Sequence, residues 1–277
     1  MDFGIINDIR YLCFDLDGTL LNKDDTVDIT VLSLIKGICE NGVRVIIATG
    51  RHFREMEKYI HMIGDYMIEA VICCDGQYIY DSQKRCLYEG EFLAIDDVIH
   101  IFKTVCPNKL SFFTDFHDYY LCSGKMEKWL RFFVGAIRKS DAVLFTADEF
   151  TKISNIQIEK ICLPATAYKE NTIKKIKGDY TLHLYESGKC EILHSKVNKY
   201  LALLQVKGVT AQNVIYFGDD INDIECFDNL AYCVAIGESP ASIRKRSIIA
   251  DCQETLNLKE CLEQIYERQI RQKFCII

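Results

Sequence analysis

Tyr11-Leu12-Cys13-Phe14-Asp15-Leu16-Asp17-Gly18-Thr19-Leu20 is an apolar run that stops in two carboxylates one residue apart. Residues i and i+2 of a strand share a face. Asp15 and Asp17 therefore converge on one spot beyond the strand's carboxyl end, where open α/β sheets bind ligands. Two like charges so close repel unless a cation or a shared proton relieves them. Taken alone, the segment also reads as a β-hairpin, because Asp-Gly between apolar residues is a turn signal.

Two distant stretches bear on that choice. Val214-Ile215-Tyr216-Phe217 is a second apolar run, and it ends in Gly218-Asp219-Asp220-Ile221-Asn222-Asp223. One acidic strand end can be a turn, whereas two point to a shared metal. Between them, Val43-Arg44-Val45-Ile46-Ile47-Ala48 runs into Thr49-Gly50-Arg51. That places a hydroxyl and exposed backbone N–H groups at a third strand end, and such groups bind phosphate.

Asp-x-Asp-Gly-Thr, a Thr-Gly-Arg strand end, a later Lys199 and Gly-Asp-Asp-x-Asn-Asp, in that order, resemble the haloacid dehalogenase-like superfamily of phosphohydrolases over nearly the whole chain. The interval from Asp15 to Thr49 holds one helix and one strand, while that from Thr49 to Lys199 is long enough for a further domain. An insertion there resembles the large α/β cap of the Cof-type phosphatases; the phosphoglucomutase-like branch carries its cap in the first interval. The resemblance thus implies an α/β protein with a Rossmann-like parallel-sheet core, residues 1–82 and 189–277, and an inserted α/β cap, residues 83–188, that sets substrate specificity. Two positions depart from the pattern: Tyr200 follows the lysine where relatives usually show Gly, and Asp75-Gly76 stands where Asn-Gly is common.

The same resemblance implies a Mg2+-dependent phosphatase that hydrolyses a small phosphorylated metabolite, a sugar phosphate or a phosphorylated cofactor, through an aspartyl-phosphate. Asp15 is then metal ligand and nucleophile. Asp17 protonates the leaving oxygen, takes a proton from the hydrolytic water, and binds the metal through its backbone carbonyl. Asp219 and Asp223 complete the metal ligands. Thr49, Gly50, Lys199 and Asn222 bind the substrate phosphate, with Lys199 neutralising charge between it and Asp15. Mg2+ suits such a site because it prefers carboxylate and water oxygens and keeps positions open for phosphate. The chemistry is mainly positioning and charge neutralisation, since the phosphate oxygens repel anionic nucleophiles.

Simpler readings stand beside these. Asp219 or Asp223 alone can be a helix N-cap, Thr49 a turn residue, and His52 a helix-start residue. Lys196 competes with Lys199, which is favoured because it opens an apolar helical run. Arg51 can contact phosphate, bridge to the cap or pair structurally. At the level of function, a phospho-accepting regulatory receiver also gathers carboxylates and a lysine around Mg2+, and a capped phosphomutase shares the nucleophile.

Composition sets bounds. At 277 residues the chain exceeds the size at which one core stops growing, so two domains are expected. The net charge of −7 and the lack of a long Lys/Arg cluster argue against a nucleic-acid surface. No run approaches the roughly 18 apolar residues of a membrane span, and Met1-Asp2-Phe3-Gly4 is not a basic, apolar leader. A cytoplasmic protein is the expectation. The 14 cysteines contain no Cys-x-x-Cys pair and are spread through apolar stretches, as at Cys13, Cys162 and Cys233, so they read as reduced, mostly buried small hydrophobes. Cys275 is third from the end, one place short of a prenylation box, and reads as an ordinary tail cysteine.

Periodicity orders the rest. Val27, Val31, Leu34, Ile35 and Ile38 recur at helical spacing, and Asn41-Gly42 ends that helix. Residues 53–62 read as a second helix, 70–74 as a strand, and 78–80 as a strand after which the chain leaves the core. In the insertion, Ile95, Val98, Ile99, Phe102 and Val105 form one helical stripe and Met126, Trp129, Leu130 and Phe133 another, both expected in the core. Residues 111–113, 119–121, 156–158 and 182–184 read as strands. Residues 191–194 are expected to return to the core sheet, and 199–207 to form a helix.

Overall fold

In the computed structural model, β1 (Tyr11–Asp15) is buried at every residue and lies between two parallel neighbours, β2 (Arg44–Ala48) and β12 (Val214–Gly218). The structure describes residues 9–105, 110–114, 117–122, 124–138, 143–153, 156–163, 170–173, 175–176, 178–247 and 257–274. A strand with a parallel partner on each side is not the arm of a hairpin. The Asp17-Gly18 turn instead belongs to the loop that leaves the sheet. Residues 1–4 and Cys275 lie outside the described residues.

The chain folds into two compact units, one reaching Gly90 and resuming at Asn198, the other Glu91–Val197. The first is built on a seven-stranded sheet of order β13-β12-β1-β2-β3-β4-β5, with β3 at Ile68–Cys73, β4 at Tyr78–Tyr80, β5 at Cys86–Glu89 and β13 at Tyr232–Ala235. The five strands from β13 to β3 are parallel; β4 and β5 join antiparallel. Both faces are covered, which is why the parallel strands read as nearly unbroken apolar runs. On one face Phe14, Val45, Ile47 and Phe217 pack with Ile35 and Ile38 of α1 (Ile29–Cys39), with α2 (Glu57–Ile63), and with Leu262 near the chain's end. On the other, Cys13, Ile46 and Tyr216 pack with Ala202, Leu203 and Phe227. Asp28 starts α1 by accepting from the N–H groups of Thr30 and Val31.

The second unit has a six-stranded sheet of order β10-β11-β9-β6-β7-β8: β6 Leu110–Thr114, β7 His117–Cys122, β8 Val143–Thr146, β9 Lys160–Leu163, β10 Tyr180–Leu184 and β11 Cys190–His194. Its helices are α3 (Ile95–Val105), α4 (Lys125–Arg138), α5 (Ala147–Phe150) and α6 (Glu170–Ile173). Val98, Ile101 and Phe102 of α3 bury against Leu121, Ile161 and Ile192. The first unit is completed by α7 (Lys199–Leu203), α8 (Ile224–Asn229), α9 (Ala241–Arg244) and α10 (Leu258–Phe274).

Several local readings are corrected. β5 stays in the first sheet, so the chain leaves it after Gly90 rather than after residue 82. Residues 191–194 pair with β9 and β10 in the second sheet instead of returning to the first. A short alternating run states that it is a strand and not which sheet will take it. Residues 53–62 split into a 3-10 turn, Phe53–Glu55, and α2; the helix from Lys199 stops at Leu203; and of residues 156–158 only Ile158 pairs, in an isolated bridge to Leu93. Met126 and Trp129 of α4 are 73% and 58% exposed rather than in the core. Their spacing shows that they share a helix face, and nothing in it says which face packs.

Eleven cysteines are described, all free thiols and nine of them buried. Among the described residues no helix is long and apolar enough to cross a membrane.

Candidate active site

The carboxyl ends of β1, β2 and β12 are adjacent because their strands are, and this brings together residues that are far apart in sequence. Asp15 is the last residue of β1 and is buried. Asp219 follows β12, and Asp223 closes the 3-10 turn Ile221–Asp223, whose N-cap is Asp220. Lys199 opens α7, with Asn198 as N-cap accepting from the Leu201 N–H at 2.8 Å. Lys199 is only 1% exposed, and its Nζ donates to Asp15 Oδ1 at 2.5 Å and Asp223 Oδ1 at 2.7 Å.

Asp223 is the anchor of its own loop. Its Oδ1 also accepts from Tyr216 Oη at 2.6 Å, and its Oδ2 accepts from the N–H groups of Asp219 and Asp220 at 3.0 and 3.3 Å. Asp219 Oδ1 accepts from Thr19 Oγ1 at 3.1 Å, tying one acidic loop to the other. Gly18 permits that approach: its φ is +81°, and a Cβ there would lie 2.1 Å from Asp219 Oδ2.

The electrostatics follow from burial. Desolvation pushes the Asp15 carboxyl well above its usual range; Lys199 opposes this, while Asp223 and Asp219 reinforce it. Burial pulls the Lys199 ammonium down, but Asp15 and Asp223 outweigh it and hold it well above its usual value. Asp219 is pushed up to about 7, first by burial and then by the charge of Asp223. Carboxylates crowded in this way are short of a neutralising cation.

Asp15, Asp219 and Asp223 each offer an oxygen, and the three oxygens lie within 4.8 Å of one another. Hard oxygen donors at that spacing fit a hard divalent cation. The Asp17 carboxylate is outside this group. It is 54% exposed, and both its oxygens accept from Arg51, Oδ2 from Nε at 2.8 Å and Oδ1 from Nη2.

The phosphate-binding candidates are placed as follows. Thr49 is wholly buried at the end of β2, and its Oγ1 accepts from the Arg51 N–H at 3.1 Å. Gly50 follows, and a Cβ on it would come within 3.1 Å of Asp75 Oδ1. Asn222 Nδ2 donates to that same oxygen at 2.9 Å. Lys196, the competitor of Lys199, is 65% exposed and pairs with Glu91. Lys199, and not Lys196, is the lysine that lies among the carboxylates. His52 Nδ1 lies 3.2 Å from Cys74 Sγ and not among the carboxylates.

Sequence reasoning noted Asp75 only as a departure from the family pattern and gave it no place in the site. Asp75 is buried, takes a left-handed backbone (φ +55°), donates its N–H to Thr49 O at 3.0 Å, and adds to the charge that Lys199 feels. Its signal was present in the Asp-Gly pair, since Asp tolerates that conformation better than most residues. Tyr216 and Thr19 were missed as well, the first hidden inside an apolar run.

The chain is similar to known proteins in family and fold. The family pattern of the haloacid dehalogenase-like hydrolases matches residues 12–253. The pyridoxal phosphate phosphatase of Escherichia coli (strain K12) is 23% identical over 269 residues, covering 87% of this chain and 92% of the relative. The HMP-PP phosphatase of Yersinia enterocolitica is 25% identical over 268 residues, covering 88% and 91%. A HAD/COF-like hydrolase from Plasmodium vivax has the same fold, with a TM-score of 0.68 at 22% identity over 94% of this chain and 96% of that one.

Proposed function

The chain belongs to the haloacid dehalogenase-like hydrolase family, and on that premise we propose that it is a Mg2+-dependent phosphatase of small phosphorylated metabolites working through an aspartyl-phosphate on Asp15. The observation that carries the reading is the buried Lys199 ammonium bridging Asp15 and Asp223, with Asp219 beside them. A lysine so placed neutralises an aspartate nucleophile while an anionic phosphate approaches. Asp15, Asp219 and Asp223 would hold the cation, which supplies further charge neutralisation on the phosphate oxygens.

In the first half-reaction an Asp15 oxygen forms a bond to phosphorus as the bond to the ester oxygen breaks. Asp17 gives that oxygen its proton, and the alcohol leaves. In the second, water attacks phosphorus, Asp17 takes its proton, and the bond to Asp15 breaks to release phosphate. Thr49, Gly50 and Asn222 hold the transferring group by hydrogen bonds from the ends of β2 and β12. We assign the choice of leaving group to the second unit, residues 91–197, because its insertion between Thr49 and Lys199 is what distinguishes the Cof-type arrangement.

The relatives named for pyridoxal phosphate and HMP-PP support a phosphorylated cofactor as the substrate class, with a sugar phosphate next. A panel of such phosphates assayed with Mg2+ and with EDTA tests it. Steady metal-dependent turnover and an acid-trapped phosphoprotein that is lost in Asp15→Asn are expected. Stoichiometric labelling without turnover would make it a receiver, and isomerised phosphate esters a mutase.

A further inference from the structure

The turn after β3 meets the loop after β12, although β1 and β2 separate those strands. Neighbouring strands lie about 4.8 Å apart, so the ends of β3 and β12 stand roughly 14 Å from each other. Yet Asn222 Nδ2 donates to Asp75 Oδ1 at 2.9 Å, a contact that spans the ends of β1 and β2, where Asp15 and Thr49 stand. Both loops are anchored through their backbones. Asp75 N–H donates to Thr49 O and Cys74 N–H to Arg51 O, each at 3.0 Å, and a Cβ on Gly76 would lie 2.3 Å from Asn198 O. On the far side, Asp223 accepts from the N–H groups of Asp219 and Asp220. What these bonds leave unset is the half-buried Asn222 side chain.

We propose that Asp75 is a positioning residue for the phosphoryl site: its carboxylate, seated against Gly50, holds the Asn222 amide with its nitrogen turned toward the phosphate-binding loop. This rests on the phosphate contact given to Asn222 above. A half-turn of χ2 lets an amide present either its oxygen or its nitrogen at the same place. Because Asp75 Oδ1 accepts, the half-turned amide would set oxygen against oxygen. Only the nitrogen fits, and of its two hydrogens one goes to Asp75 and the other is left for a phosphoryl oxygen. The carboxylate is itself kept in place. Asp75 is 1% exposed, and a Cβ on Gly50 would lie 3.1 and 3.2 Å from its two oxygens. Since the amide serves the phosphoryl group and not the leaving group, its loss should weigh equally on every ester.

Asp75→Gly, Asp75→Asn, Asn222→Ala and the double variant Asp75→Gly/Asn222→Ala should be compared with wild type. The readouts are KM on p-nitrophenyl phosphate and on the alkyl phosphate that wild type turns over fastest, and the Kd of inorganic phosphate by calorimetry in Mg2+. Glycine takes the left-handed turn without strain, so Asp75→Gly reports the side chain. It should raise both KM values and the Kd together by about 10-fold, the size of one lost charge-assisted hydrogen bond. Asp75→Asn keeps an acceptor and removes an anion from beside the phosphate, so it should bind inorganic phosphate at least as tightly as wild type. The double variant should bind no more weakly than Asn222→Ala, because no amide remains to position.

Wild-type phosphate affinity in Asp75→Gly would make the contact idle. A loss in Asp75→Asn as large as that in Asp75→Gly would assign the effect to charge, a full additional loss in the double variant would make it structural, and a raised KM on one ester alone would make Asp75 a reader of the leaving group. Each of these overturns the proposal. Asp75→Ser, whose hydroxyl is too short to reach Asn222, takes the place of the glycine variant if that one does not fold. Normal phosphate affinity in Asn222→Ala would instead remove the phosphate contact on which the proposal rests.

Discussion

Asp15 and Asp17 leave the same strand two residues apart, and each enters an ion-pair network in which one cation joins two aspartates, yet the two networks are opposites. The inner one, Asp15–Lys199–Asp223 with Asp219 beside it, is buried to the last charged atom of Lys199. The outer one, Asp17–Arg51–Asp25–Lys58, is open to water at every member. In the inner network the buried carboxylates share one ammonium, so loss of Lys199 leaves uncompensated buried charge. In the outer network water and salt screen the pairs, so what it offers is geometry rather than energy. The chain has thus put one lysine among carboxylates where a low dielectric makes their attraction strong, and one arginine between aspartates that meet solvent.

The widest separation of the two is expected from Asp15→Asn. It should abolish turnover, by more than about 1,000-fold on every substrate, as loss of a covalent nucleophile does, while circular dichroism shows a native fold. Residual activity near wild type on any ester in a purified variant would remove Asp15 from the chemistry.

Lys199→Met tests the inner network for stability. It strands Asp15 and Asp223 without their cation in a buried site, and metal-free protein should lose about 3–5 kcal/mol by denaturant titration. An unchanged midpoint would mean that water or protons replace the ammonium at little cost.

Asp17→Asn should discriminate between substrates instead of silencing them. Phosphorylation of Asp15 should slow far more with an alkyl phosphate than with p-nitrophenyl phosphate. The aryl ester should then give a burst followed by a slow steady rate, because hydrolysis still lacks its base. Equal slowing with both and no trapped phosphoprotein in rapid-mixing experiments would count against it.

A pH dependence follows from the inner network alone. Folding moves Asp219 from an ordinary value of 3.8 up to about 7, so the folded chain holds its proton more tightly than the unfolded one. The unfavourable contribution is absent below about 4 and complete above about 7, so stability is lost as pH rises through that window. In EDTA, wild type should therefore fall below Asp219→Asn in melting temperature on going from pH 5 to pH 8, and added Mg2+ should restore wild type. A difference between the two proteins that is flat with pH would show that burial does not raise this carboxyl. The smallest effect belongs to the outer network. Asp25→Asn should lower the melting temperature slightly at low salt and not measurably at high salt, and a loss that persists in high salt would show the pair to be less screened than its exposure indicates.

The parallel core was legible because its strands are buried on both faces and so spell unbroken apolar runs, and because Asp15, Thr49, Asp219 and Asp223 stand at the ends of those runs. Strand ends that line up in a sheet need no side-chain detail to be recognised as one site. Lys199 was legible only as the opening of an apolar helix; its choice over Lys196 came from depth, since one amine is enclosed by carboxylates and the other lies in water beside Glu91. Asp75, Tyr216 and the fork of Arg51 on Asp17 were not legible. Each depends on which loops meet after folding, and on the left-handed turn at Asp75 that brings a carboxylate against Gly50 and Asn222. The sequence by itself therefore determined the apolar strands of the parallel core, the order of their acidic ends and the residue types of the site, because hydrophobic periodicity and spacing are local properties. Only the tertiary structure decided which of two aspartates is buried against a lysine and which is turned to an arginine, because burial and partnership are set by chain segments far apart in sequence.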